Sequence, residues 1–235
     1  MIPYFSFSQI QLGSMHLQVW GFFVSMGSLA ALLLSLKEAK RNNIDEDDIW
    51  NIIILTLIGM IIGSKVLYIM FSGGFDLAEP EAISGSGFSL IGGMMLSLLI
   101  VYFYAISKKM DIWLLADTLI PGLILALIFV RIGCFLIYEH IGSLTNLPWG
   151  QIYLDRSIRH PVSLYLLIND IVIFLIIWYL KKRQITAHKG ALFLATVLYY
   201  SISRFLLDLA RCSDLAVCDH RYLGLTSTQW ILLVS

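Results

Sequence analysis

The sequence predicts an all-α integral membrane protein: a bundle of about seven transmembrane helices, the last one short, with a small extracytoplasmic loop subdomain. Three observations predict it. The 235 residues are 58% hydrophobic and only 14% charged, with a mean hydropathy of +0.81. The apolar residues come in blocks of 17 to 25 rather than in 3.6-residue stripes, which is the length a helix needs to cross hydrocarbon. The basic residues gather in alternate connectors, the bias that orients a multi-pass chain.

Taken in order, the expected spans are Trp20–Leu36, Ile49–Phe71, Phe88–Ile106, Ile112–Ile137, Val162–Leu180 and Ala191–Leu209, with a partial seventh after Gly224. The connectors Lys37–Asp48, Ser107–Asp111 and Lys181–Gly190 hold nine of the sixteen Lys and Arg residues, against Arg156, Arg159, Arg211 and Arg221 on the other side. That asymmetry places the first set in the cytoplasm. The N-terminus, the Gly73–Gly87 loop, the loop after Arg131 and the Arg211–Gly224 loop are then extracytoplasmic. The seventh block, Leu223–Ser235, reaches roughly 20 Å against about 30 Å of hydrocarbon, so either this last helix is expected to be partial or the chain to be shorter than its natural product. No Lys or Arg precedes Lys37, so the first block lacks the charged start of a cleaved signal peptide and is expected to be retained.

Residues 1–235 therefore read as one transmembrane domain with the 138–160 loop as its outer subdomain, long for a helix connector and carrying Trp149, Tyr153 and two arginines suited to the headgroup region. A formal net charge of zero excludes a general polyanion binder, nucleic acid included. Three cysteines, Cys134, Cys212 and Cys218, without CxxC pairing form neither a disulfide scaffold nor a structural metal site. Cys134 reads as a small core residue. For Cys212 and Cys218, in one outer loop, a disulfide and free thiols are equally compatible with the spacing.

The chemistry gathers around RIGCFLIYEHIGSLTNLPWG, Arg131–Gly150. Arg131 ends the apolar run Leu119–Val130, where a charge costs several kcal/mol unless it has a partner or a water-filled cavity. Glu139 follows eight residues later. Arg204, Asp208 and Arg211 stand at i, i+4 and i+7 in RFLLDLAR, on one face of the expected sixth helix, at the membrane face that carries Arg131 and Glu139. This spacing fits a helix-locking ion pair as well as a site. Two arginines neutralise a phosphate, while a carboxylate orients or deprotonates a nucleophile.

Gly92 and Gly93 open the third helix in FSLIGGMM. Small residues there fit close helix packing or room for a lipid. RHPVSLYLLIND, Arg159–Asp170, starts the fifth helix at Pro161 and carries His160 and Tyr165. Asp170, near mid-span, needs an internal partner. Asp117 and Pro121 read as packing and kink features of the fourth helix.

Taken together these stretches resemble the prolipoprotein diacylglyceryl transferases of the bacterial cytoplasmic membrane. The resemblance runs through the chain in order: WG at Trp20, GSKVLYIMF, FSLIGG, LLADTLIPG, RIGCFLIYE, LPWG, RHPVSLY with Asp170, SRFLLDLAR and GLTSTQ. It implies transfer of a diacylglyceryl group from phosphatidylglycerol to the lipobox cysteine thiol of a prolipoprotein, releasing glycerol phosphate, with no metal or organic cofactor. By position, Arg131 resembles the family's phosphatidylglycerol-binding arginine, Glu139 its essential acid and Arg204 the arginine that closes on the headgroup. Asp208 stands where the family usually has Glu, Cys134 for Asn, Trp20 for Tyr, Lys65 for Arg, and Ile91 for a histidine proposed to take part in catalysis.

The expected site is thus Glu139, Arg204 and Asp208 as catalytic groups, with Arg131, Gly92, Gly93, His160, Tyr165 and Arg211 binding substrate. The thiol proton goes to Glu139, Asp208, His140 or His160. The expected partners are phosphatidylglycerol, a prolipoprotein lipobox segment and membrane lipid. The expected location is the bacterial cytoplasmic (inner) membrane, multi-pass, with the N-terminus extracytoplasmic. Two other classes fit the residues: a weak or inactive paralogue that binds phospholipid or lipoprotein precursors, and a small-solute transporter built on Asp170, Asp117 and Lys65. The chain shows no repeated halves of the kind many transporters have.

Overall fold

A computed structural model describes residues 1–12, 15–71, 89–183, 188–215, 218 and 221–234. The expected Gly73–Gly87 loop, the start of the third span at Phe88, and residues 184–187 of the Lys181–Gly190 connector lie outside the described residues. The elements are β1 (Gln9–Leu12), β2 (Met15–Gln18), α1 (Val19–Arg41), α2 (Glu46–Phe71), α3 (Leu90–Ser107), α4 (Ile112–Leu136), β3 (Gln151–Ile152), β4 (Ile158–Arg159), α5 (Val162–Lys182), α6 (Ala191–Asp208), β5 (Arg221–Tyr222), β6 (Leu225–Thr226) and α7 (Ser227–Val234). Each pair β1–β2, β3–β4 and β5–β6 is a two-stranded antiparallel hairpin.

The protein is all-α, and α1, α2, α4, α5 and α6 are long and apolar enough to cross a membrane. It is a multi-pass membrane protein. The helices outrun the apolar spans at their charged ends. Lys40 and Arg41 close α1 and Lys181 and Lys182 close α5, while Glu46, Asp47 and Asp48 open α2. Those signs oppose the helix dipoles and hold the ends in water. Asp111 caps α4, its Oδ1 accepting from the backbone N–H groups of Trp113 (3.1 Å) and Leu114 (3.2 Å), and Ser89 caps α3 by accepting from Gly92 N–H.

The chain forms two compact units, Ser35–Thr118 and the remainder, Met1–Leu34 with Leu119–Ser235. In the Ser35–Thr118 unit, α2 and α3 meet backbone to backbone. A Cβ on Gly63 would strike Gly92 O and Leu96 Cβ, one on Gly92 would strike Gly63 O, and one on Gly93 would come within 2.9 Å of Met60 O. Without side chains these positions let the two helices approach, and Ser97 Oγ donates across them to Thr56 O (2.9 Å). Tyr104 OH donates to Asp48 Oδ1 (2.7 Å), and Lys108 lies 3.4 Å from the same oxygen.

In the other unit, Ile120 and Ile124 of α4, Ile173 and Ile177 of α5 and Leu192 of α6 form a buried core. The α1 helix lies against α4 at Gly27, where a Cβ would sit 2.9 Å from Ala126 O, and at Gly133, facing Phe23. Above the helix ends a small folded cap assembles from short pieces. Ile2 exchanges backbone hydrogen bonds with Gly150 and Ile152 (2.9 Å each). Arg159, 2% exposed, donates from Nη1 and Nη2 to the Asp214 carboxylate at 3.0 and 2.7 Å, and from Nη1 to Gly142 O at 3.1 Å. That two-point contact holds Asp214 well below the usual carboxylate range. Cys212 and Cys218 are joined by a disulfide, so of the two states left open by their spacing the bonded one is found.

The sixth helix differs from expectation. It stops at Asp208, and the chain continues through tight turns in which Leu209, Ala210 and Arg211 donate to carbonyls three residues back. Arg211 therefore belongs to no helix face; it pairs as a β-bridge with Gly142. Its i+7 spacing reads as helical in sequence because nothing between Asp208 and Arg211 is a breaker. Pro161 is the residue before α5 rather than within its first turn.

Candidate active site

The site begins where α4 ends. Past Leu136 the chain reverses on two non-glycine residues in the left-handed region, Tyr138 (φ 62°) and His140 (φ 61°), with Glu139 between them. Such conformations are uncommon outside glycine and gather at functional sites. Glu139 N–H donates to Cys134 O (2.9 Å), and Ser163 Oγ on α5 donates to Glu139 O. The reversal folds His140 back over the helix end onto Arg131, nine residues earlier.

Arg131 has the partner its position demands. Its Nε lies 3.5 Å from Asp170 Oδ2 on α5, and its Nη1 lies 3.2 Å from His140 Nε2. The buried Asp170 thus finds in Arg131 the internal partner expected of an acid at mid-span. From α6, the fully buried Asp208 carboxylate places Oδ1 3.3 Å from Arg204 Nη2 and 3.7 Å from Arg211 Nη1. Its Oδ2 accepts from Thr226 Oγ1 at 2.5 Å. Arg211 Nη2 then reaches His140 Nδ1 at 2.8 Å.

Four expected site residues, Arg131, Arg204, Asp208 and Arg211, are joined in this way around His140, and the Glu139 carboxylate lies within 4.8 Å of the ring. Their cluster borders a cavity of about 360 Å³ lined by Tyr138, Glu139, His140, Ile141, Arg211 and the Cys212–Cys218 disulfide. His160 and Tyr165 lie beside it. His160 shares a small pocket with Glu139 and His140, and Tyr165 OH meets His160 Nδ1 (3.1 Å) while accepting from Trp149 Nε1 (3.0 Å). Gly92 and Gly93 belong to the α2–α3 contact of the Ser35–Thr118 unit, where they pack against Gly63 and Met60.

The charge balance states what the site wants. Three largely buried guanidiniums, Arg131, Arg204 and Arg211, face two buried carboxylates, Asp170 and Asp208. Among the buried groups one positive charge is left over, and the third carboxylate, Glu139, stands exposed at the cavity wall. Arg204 Nη1 is a buried N–H group without a hydrogen-bond acceptor among the described residues, a costly condition that an anionic ligand relieves. Burial, then Arg211, Arg131 and Arg204, pull the His140 imidazole down to about 3, so it is neutral at physiological pH. Cys134, Glu139 and His140 bring donor atoms within 4.8 Å of one another, but the guanidiniums at both ring nitrogens oppose a cation there. The arrangement suits a monoanion.

Several members of this cluster stand out in sequence only afterwards. Thr226 and Gln229 come from the GLTSTQ motif: Gln229 Oε1 accepts from Thr226 N–H (2.9 Å) while Thr226 Oγ1 accepts from Gln229 N–H (3.2 Å). This reciprocal cap starts α7 and aims Thr226 at Asp208. The Thr-x-x-Gln spacing was the available signal.

A family model for prolipoprotein diacylglyceryl transferase matches residues 8–235. Among similar proteins, the phosphatidylglycerol–prolipoprotein diacylglyceryl transferase of Clostridioides difficile is 32% identical over 83% of this chain and 79% of its own length. That of Clostridium tetani is 30% identical over 86% of this chain and 83% of its own, and that of Pediococcus pentosaceus 26% over 95% and 84%. With a family-model match across nearly its whole length, the chain belongs to the prolipoprotein diacylglyceryl transferase family.

Proposed function

We propose that this protein transfers a diacylglyceryl group from phosphatidylglycerol to the lipobox cysteine thiol of prolipoproteins, releasing glycerol phosphate. The observation that carries the reading is the convergence of three guanidiniums, Arg131, Arg204 and Arg211, at the end of α4, a donor set suited to a phosphodiester. Arg131 and Arg204 hold the phosphate oxygens, Arg204 using the buried Nη1 that has no acceptor among the described residues. Arg211 adds a third guanidinium from the loop after α6.

The thiol sulfur attacks the glyceryl carbon bonded to the phosphate. A carbon–sulfur bond forms, the carbon–oxygen bond breaks, and its electron pair stays on the phosphate oxygen. Charge thus grows on the leaving group, which the arginines stabilise more strongly than the bound diester. Asp208 keeps Arg204 and Arg211 converged, and Glu139, exposed at the cavity wall, receives the incoming cysteine segment. His160 and Tyr165 line its approach. The residues Gly92 and Gly93 serve this proposal through the packing of α3. The protein sits in the cytoplasmic membrane with its N-terminus and the site on the outer side.

Incubating the purified protein with phosphatidylglycerol and a lipobox peptide tests the reading. A mass increase of one diacylglyceryl group on the cysteine, with release of glycerol phosphate, is expected. No modification, or modification that survives Arg131→Ala undiminished, overturns it.

A further inference from the structure

We propose that His140 is the proton shuttle of the transfer step, taking the thiol proton as sulfur attacks and delivering it to the departing phosphate. The proposal rests on the transferase reading of the site. It starts from a hydrogen-bond count that cannot close. Arg131 Nη1 lies 3.2 Å from Nε2 and Arg211 Nη2 lies 2.8 Å from Nδ1. Guanidiniums only donate, and a neutral imidazole offers one lone pair. One of the two contacts therefore sets N–H against N–H. The shorter contact is the hydrogen bond, so Nδ1 accepts from Arg211 and Nε2–H faces Arg131.

A phosphodiester resolves this arrangement. An oxygen placed between Arg131 and Nε2–H accepts from both, and a second oxygen that draws Arg211 away uncovers the Nδ1 lone pair. The base is thereby exposed only when its substrate is present. The surrounding charges act in the same direction. Arg131 on α4, Arg204 on α6 and Arg211 in the following loop keep the ring neutral, while Asp170 on α5 and Asp208 on α6 offset them only in part. The diester's negative charge, together with Glu139 beside the ring, then raises its affinity for a proton.

Of the other acceptors, Glu139 is exposed and beside the ring, and the remaining two are engaged. Both Asp208 oxygens are directed at Arg204, Arg211 and Thr226, and His160 is turned to Tyr165. The step balances: carbon–sulfur forms, carbon–oxygen breaks with its pair going to phosphate, and the thiol proton passes through His140 to that phosphate oxygen.

The φ of 61° at His140 suits glycine and asparagine, so His140→Gly and His140→Asn leave the backbone unstrained. With phosphatidylglycerol and a lipobox peptide, both variants are expected to lose about 10²- to 10⁴-fold in kcat while retaining bound phosphatidylglycerol in native mass spectrometry. Added imidazole is expected to restore His140→Gly, increasingly so as pH rises through the pKa of imidazole. Wild-type kcat in either variant overturns the proposal, as does a loss that imidazole fails to restore while lipid is retained. Should the glycine variant not hold lipid, the asparagine variant decides: full rate without an imidazole overturns it. Wild-type protein that modifies no peptide sinks the transferase reading and this proposal with it.

Discussion

At the scale of the residue, intramembrane charge is what made the site legible. Arg131, Arg204 and Asp208 interrupt apolar blocks where only a paired or used charge is tolerated, and all three lie in one cluster. Asp170 was legible as needing a partner but not as belonging to Arg131, because the two lie on different helices and no local spacing connects them. The place of His140 between two arginines was not legible at all. It depends on a chain reversal through Tyr138 and His140 without glycine, so no turn signal marks it.

Replacing Arg131 or Arg204 by Lys tests the clamp at this scale. Lys keeps the charge but not the planar two-point contact. Loss of one charge-assisted hydrogen bond, about 1.5–3 kcal/mol, should lower kcat/KM by roughly 10- to 100-fold, and unchanged kinetics in both variants would count against shared phosphate binding.

His140 also gives a pH dependence with a definite sign. Its folded-state value of about 3 lies below the ordinary 6.5 of the unfolded chain. Between those values the unfolded state binds more protons, so stability from this group is present above pH 6.5 and lost progressively towards pH 3. The slope is at most about 1.4 kcal/mol per pH unit. Thermal midpoints of wild type and His140→Asn, measured from pH 7 to 4.5, should converge as the pH falls; parallel curves would show that the ring is not held neutral.

At the scale of the element, the helices were readable from apolar block length. The end of α6 was not, because it is fixed by what Asp208 touches rather than by a capping residue. Two-residue strands such as β3 and β4 are set by pairing and carry no periodic signal. Glycines in the membrane helices left two readings open, packing or lipid room, and Gly63, Gly92 and Gly93 are in close helix contact. Gly63→Ala should lower stability by about 1–3 kcal/mol, the usual cost of overpacking. Its added Cβ would meet Leu96 Cβ at 2.7 Å as well as the Gly92 carbonyl. Gly21→Ala, whose nearest neighbour is 4.0 Å away, is the matched control and should leave the melting temperature in detergent unchanged or slightly raised. Equal effects of the two substitutions would remove the close helix contact as a stabilising feature.

At the scale of the whole molecule the remaining question is orientation, and here charge rather than geometry decides. Nine basic residues lie in Lys37–Asp48, Ser107–Asp111 and Lys181–Gly190, where α1 passes into α2, α3 into α4 and α5 into α6, and four in the segments at the opposite helix ends. Short loops rich in Lys and Arg stay in the cytoplasm because moving them outward opposes the membrane potential and the anionic inner leaflet. Arg131 lies near the C-terminal end of α4, and Arg204, Asp208 and Arg211 at that of α6, the helix ends that the charge bias predicts to face outward, where exported substrates arrive. Single cysteines at positions 108, 181, 156 and 221 test this. Cys134 is first replaced, and the Cys212–Cys218 pair is left in place because a disulfide does not react with maleimides. An impermeant maleimide applied to intact cells should label 156 and 221 and spare 108 and 181 until the membrane is opened. The reverse pattern would place the arginine cluster in the cytoplasm, out of reach of a thiol presented on the outer face, and would exclude lipidation of exported proteins even if every contact in the site were correct.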